Sequence, residues 1–186
     1  MNKALALALF AAAAVGCSSD NSRAAREKNP APCPPVIVLN DAARQIEFDG
    51  EQRLEDVAYS AEILSARLQC RYYAEKPIEA SLKLDMAFGR GPKGAEKDRK
   101  FVYFVAVTRK NMEVIEKVEF AVPVRFDGDK RQAVVEETIK TITIPRANKD
   151  IAGTNFEVVV GLSLTPQQAI FNRSGKSLKF PEMTRN

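Results

Sequence analysis

The chain has 186 residues, with 28 lysines and arginines against 24 aspartates and glutamates, and neither histidine nor tryptophan. The absence of histidine excludes Ser-His-Asp and Cys-His nucleophilic sites and every His-ligated metal centre. A net charge of +4 favours solubility and carries no nucleic-acid motif with it, so no nucleic-acid partner is expected.

At the N-terminus, Lys3 precedes an apolar run from Ala4 to Val15, and small residues lead into Cys17. This is the layout of a secretory signal peptide. The run of about 12 residues is too short to cross a bilayer core of roughly 30 Å as a helix. It also lacks the polar face that a helix on a protein surface exposes. Ala14-Val15-Gly16-Cys17 resembles the lipobox of bacterial lipoproteins, although Ala14 stands where that family prefers leucine. The resemblance implies that Cys17 is diacylated and becomes the new N-terminus. The alternative is cleavage at an Ala-x-Ala site such as Ala12 to Ala14, which leaves a soluble periplasmic protein. Stable anchoring needs more than one acyl chain, at about 0.8 kcal/mol per buried methylene, and a lipoprotein cysteine carries two or three. Ser18 follows in place of the aspartate that retains such proteins at the inner membrane. The implied address is the periplasmic side of the outer membrane.

The organisation expected is a signal peptide over 1–16, an acylated cysteine and tether over 17–32, a folded domain over 33–170 and a basic tail over 171–186. The tether, SSDNSRAAREKNPAP after Cys17, has too little apolar surface to offset the entropy of ordering it. Fully stretched it reaches about 50 Å. Cys33 and Cys70 remain once Cys17 is lipidated, and in an exported chain they are expected to pair. Such a bridge contributes roughly 4 kcal/mol in the chain-entropy account and staples the start of the domain to a core strand. A reactive thiol or a metal pair is the alternative, with no histidine to complete either.

Strand patterns dominate the remainder. Residues 36–40 (VIVLN) and 45–49 (QIEFD) suggest a short edge pair, the second ending at an Asp49-Gly50 turn. In residues 57–73 the apolar positions are odd at Val57, Tyr59, Ala61 and Ile63, then even at Leu64, Ala66, Leu68, Cys70 and Tyr72. A change of parity within one strand predicts a β-bulge or a bend between sheets; the helix formers Ala, Glu, Leu and Arg pull the other way. Residues 81–88, 117–126 and 155–164 alternate cleanly, which predicts one packed face and one wet face. KFVYFVAVT (100–108) is apolar on both parities and should be a central strand. Pro123 cannot donate to a ladder, which puts its strand at an edge or a bulge. Residues 139–145 (IKTITIP) supply a further strand, and the segment after Leu164 begins with a short helical turn. The expected fold is all-β: a two-layer antiparallel sandwich, immunoglobulin- or fibronectin-III-like in the broad sense.

No catalytic constellation emerges. Glu136 and Glu137 point to opposite faces of a strand, and Asp127 and Asp129 flank a turn glycine. Gly89-Arg90-Gly91-Pro92-Lys93-Gly94 matches G-x-G-x-x-G by letter, yet a charged loop and a strand follow it where a dinucleotide site needs a helix. Arg90, Lys93, Lys97, Arg99 and Lys100 could form a cationic contact loop, with Glu96 and Asp98 interleaved. No enzyme activity, cofactor or metal is expected.

Cys33-Pro34-Pro35 with VIVLNDAA, the YFVAVT strand (103–108) and FEVVVGLSLTPQQ (156–168) together resemble a group of uncharacterised lipoproteins from alphaproteobacteria. The resemblance covers most of the chain after the signal and implies address and fold without site residues. Two functions are expected from these readings. One is a non-catalytic envelope lipoprotein that binds or scaffolds another envelope component; the other is a carbohydrate- or peptidoglycan-binding module or weak hydrolase.

Overall fold

The computed structural model describes residues 32–111 and 113–179. The signal peptide, Cys17, the tether up to residue 31 and the tail from residue 180 lie outside the described residues. Eight strands are described: β1 (Val36–Val38), β2 (Arg44–Phe48), β3 (Val57–Arg71), β4 (Ile78–Arg90), β5 (Asp98–Arg109), β6 (Val114–Arg125), β7 (Gln132–Ile144) and β8 (Phe156–Leu162). One helix, α1 (Pro166–Arg173), follows them. The strands form two sheets in the orders β1-β8-β5-β6 and β2-β3-β4-β7, which enclose a shared core. This is the expected all-β sandwich, antiparallel except for β1, which runs parallel to β8.

The parity change in β3 is a β-bulge. The register with β4 shifts between Ile63 and Ser65, leaving Leu64 unpaired and 43% exposed. Before it Tyr59, Ala61 and Ile63 face the core; beyond it Ala66, Leu68 and Cys70 do. The extra residue thus keeps a 15-residue strand facing one core despite its change of pattern. β5 is central, flanked by β6 and β8, and its Phe101, Tyr103, Val105 and Val107 are buried. Pro123 lies on β6, an edge strand, opposite Lys100.

Three expectations need correction. β1 and β2 do not pair: the five residues between them carry the chain across, so that β1 joins β8 in one sheet and β2 joins β3 in the other. The Leu39 N–H bonds the Val160 carbonyl and a 3-10 turn over Asn40–Ala42 makes the crossing. β7 begins at Gln132 rather than at residue 139, with Ala133, Val135 and Glu137 opposite Phe88, Met86 and Leu84. The boundary at 170 falls inside α1, and Phe171 is buried with Ile46 and Val57. Residues 171–173 therefore belong to the domain.

Candidate functional site

The pairing of β3 with β4 fixes two ends of the sandwich, Cys70 opposite Ala80 at one and Tyr59 opposite Arg90 at the other. They are roughly 35 Å apart along the strand. The tether meets the domain at the first end. Cys33 and Cys70 form the expected disulfide, with Cα atoms 5.6 Å apart. Beside it the Tyr72 hydroxyl donates to the Pro32 carbonyl at 2.6 Å and accepts the Gly153 N–H at 3.0 Å. Burial pushes the Tyr72 hydroxyl pKa up, partly offset by the Gly153 bond and by Arg146. The Arg146 guanidinium lies over the Tyr72 ring and is buried among carbonyls. It donates to Lys76 at 2.7 Å, to Lys149 at 3.2 Å and to Ala74. These bonds make the point where the tether leaves a firm one. Arg146 did not stand out in the sequence.

At the far end lies the cationic loop between β4 and β5, but its five residues do not act as one surface. Arg90 lies 6.0 Å over the Phe126 ring, and Arg99 lies over Tyr59 while its guanidinium meets Glu47 at 2.6 Å. Lys93, Lys97 and Lys100 are exposed. The loop is tied down by the N–H groups of Gly91 and Lys93, which bond Ala58 and Val57, and by a reciprocal pair between Glu96 and the Tyr59 hydroxyl. The glycine at 91 allows the approach, since a Cβ there would lie 2.1 Å from the Val57 carbonyl oxygen. The G-x-G-x-x-G letters thus serve backbone packing between two strands.

Two concave features were not foreseen. The first is a slot of about 290 Å³, mixed in its lining, on the flank where β6 and β7 are the edge strands of facing sheets. Val105, Val107, Val118, Phe120, Ile139 and Ile142 line it together with Thr141 and Thr143. Glu116, on the inward parity of β6 opposite Val107, is exposed at its rim. Glu137 takes the inward register of β7, two residues before Ile139. It combines with burial to push the Tyr103 hydroxyl up to about 12, burial being the larger cause. Glu136 faces outward and meets Lys83 at 3.0 Å. The two glutamates therefore diverge, as a strand requires.

The second feature is an open cleft of about 490 Å³ around the upper half of β2 and the start of α1. Thr165 caps α1 by accepting the Gln168 N–H while the Gln168 side chain accepts the Thr165 N–H, the reciprocal capping box. Ile46 and Phe48 turn toward Phe171, whose ring meets that of Phe48 at 5.4 Å edge-on. Gln45 and Glu47 take the opposite parity, in register with Ala61 and Tyr59. No group of three or more potential metal ligands occurs among the described residues. No family model, curated protein or solved structure matches this chain.

Proposed function

We propose that this is a membrane-anchored envelope lipoprotein, held by acyl chains on Cys17 at the outer membrane, whose sandwich binds another envelope protein without catalysis. The observation that carries the reading is the flank between β6 and β7. Each strand offers one unpaired edge there, and a slot lined by valines, isoleucines, Phe120 and two threonines lies between them. Unpaired edges accept a further strand through main-chain hydrogen bonds, while pockets select every second side chain. Val118 on β6 is 41% exposed and Val134 on β7 is 72% exposed. The inward glutamates 116 and 137 favour a partner segment that alternates apolar side chains with basic ones. A firm attachment at the disulfide end and a tether of about 50 Å give such a domain reach into the periplasm.

The test is a photo-reactive phenylalanine placed in turn at Val118, Val134 and Lys93 in living cells. The reading predicts one shared adduct from the two flank positions and none from Lys93. Flank positions that stay unreacted, while Lys93 captures a partner, would move the contact to the cationic loop.

A further inference from the structure

We propose that β6 pairs with β6 of a second copy of this chain, antiparallel and two-fold about Val118, so that two β1-β8-β5-β6 sheets join into one. The proposal rests on the flank being an interaction surface and names the occupant of its β6 half. β7 belongs to the other sheet and keeps its edge for the envelope partner. Among the remaining edges, β1 is three residues long and β2 has its Arg44 carbonyl taken by Asn172.

The main chain narrows the register. The Phe126 N–H bonds the Lys97 carbonyl, one step past the Asp98–Arg125 pair. Main-chain groups alternate in direction along an antiparallel strand. From Arg125 back to Lys117, the odd residues of β6 therefore turn away from β5, toward the open edge. Pro123 falls in this set, so its missing N–H costs the β5 ladder nothing and limits an added one. An axis at Val118 pairs Lys117 with Glu119 of the second copy and Glu119 with its Lys117. Opposite charges directly across a ladder attract and like charges repel. Moving the axis one residue either way would set lysine against lysine or glutamate against glutamate. Val118, 41% exposed, meets its own counterpart on the inner face. Glu116 comes opposite Phe120 and, at the rim of the slot, keeps its carboxylate in water. The ladder stops before Pro123, whose counterpart precedes the start of β6 at Val114.

The experiment places Val118→Cys in the full chain and reads whole-cell extracts on a non-reducing gel after mild oxidation. Across the axis the two cysteines form a non-hydrogen-bonded pair with Cα atoms about 4.5 Å apart, within disulfide reach. Ala121→Cys is the control, its two copies about 20 Å apart along the strands. A reducible dimer from Val118→Cys and none from Ala121→Cys is expected. In the Val118→Cys background, Glu119→Lys should lower the dimer about tenfold, and adding Lys117→Glu should restore it. A photo-reactive residue at Val118 should likewise give a homodimer beside the adduct it shares with Val134. A monomeric Val118→Cys, equal dimer from both cysteines, or a double exchange that restores nothing would each overturn the proposal. The Val134 adduct reads the envelope partner separately. Its persistence beside a monomeric Val118→Cys would remove the second copy and leave the flank reading standing. A Val118→Cys dimer with no Val134 adduct would support the second copy and remove the envelope partner.

Discussion

The side-chain amide of Asn172 donates to the carbonyl of Arg44 at 2.7 Å and to that of Asp41 at 2.8 Å, so that α1 closes part of the free edge of β2. A helix thus does what a neighbouring strand would do for that edge, and does it with side chains. It also holds Phe171 over Ile46 and so forms one wall of the cleft beside β2. Asn172→Ala leaves those carbonyls without their donor. The expected cost is about 1–3 kcal/mol in urea unfolding, with the slope against denaturant unchanged.

At Gly91 one backbone meets another. Gly91→Ala would force its Cβ against the Val57 carbonyl and is expected to cost about 1–3 kcal/mol through overpacking. Gly128, whose φ is +56° with open space around it, tolerates asparagine to within about 0.5 kcal/mol. Thermal midpoints of the two variants separate the two roles.

Tyr103 is 1% exposed, and its hydroxyl has no hydrogen-bond partner. Tyr103→Phe should therefore be neutral or stabilising. Burial, then Glu137, pushes this hydroxyl up to about 12, so the folded state keeps its proton longer than the unfolded state does. The associated stability is complete below pH 10, about the unfolded value, and is lost as pH rises toward 12. Ultraviolet titration should show Tyr103 among the late tyrosines beside Tyr72, which burial also raises; the Tyr103 step is lost in Tyr103→Phe and moves to lower pH in Glu137→Gln.

Asp85 accepts the Ser65 hydroxyl at 2.6 Å and Arg67 at 2.8 Å beside the bulge. The serine bond is the leading cause that lowers its pKa. A depressed carboxyl stabilises the fold above its unfolded pKa, and that contribution disappears as pH falls through the folded value. Ser65→Ala should raise the Asp85 midpoint toward the ordinary range, which carboxyl NMR reads directly.

Removing the disulfide by Cys33→Ser with Cys70→Ser should cost about 2–5 kcal/mol. Hydrogen exchange should then speed first at Gly153, whose N–H bonds the Tyr72 hydroxyl beside the bridge.

Side-chain periodicity made much of this fold legible. The change of parity left a bulge or a bend open and Pro123 left an edge or a bulge open, both by local rules of the strand, and the structure shows the bulge at Leu64 and the edge position of β6. The first half of β7 was hidden because Val134 is apolar on the wet face and Glu137 is charged on the inner one. Non-local chemistry left less trace. Arg146 is held by carbonyls, which every residue carries, and Gln45 sits in a five-residue strand whose pattern says nothing about a bare amide oxygen. Of the cationic residues, Arg90 and Arg99 turned out to pack on aromatic rings, a use that spacing alone does not distinguish from a contact surface.

In the proposed lipoprotein a disulfide-stapled sandwich hangs from an acylated Cys17. Intact mass of the protein extracted from cell membranes, with and without reduction and alkylation, tests it most directly. The predicted species begins at Cys17, carries acyl chains, and gains two alkylated thiols only after reduction. An unacylated N-terminus near Val15 would contradict the anchor and make the protein a soluble periplasmic one.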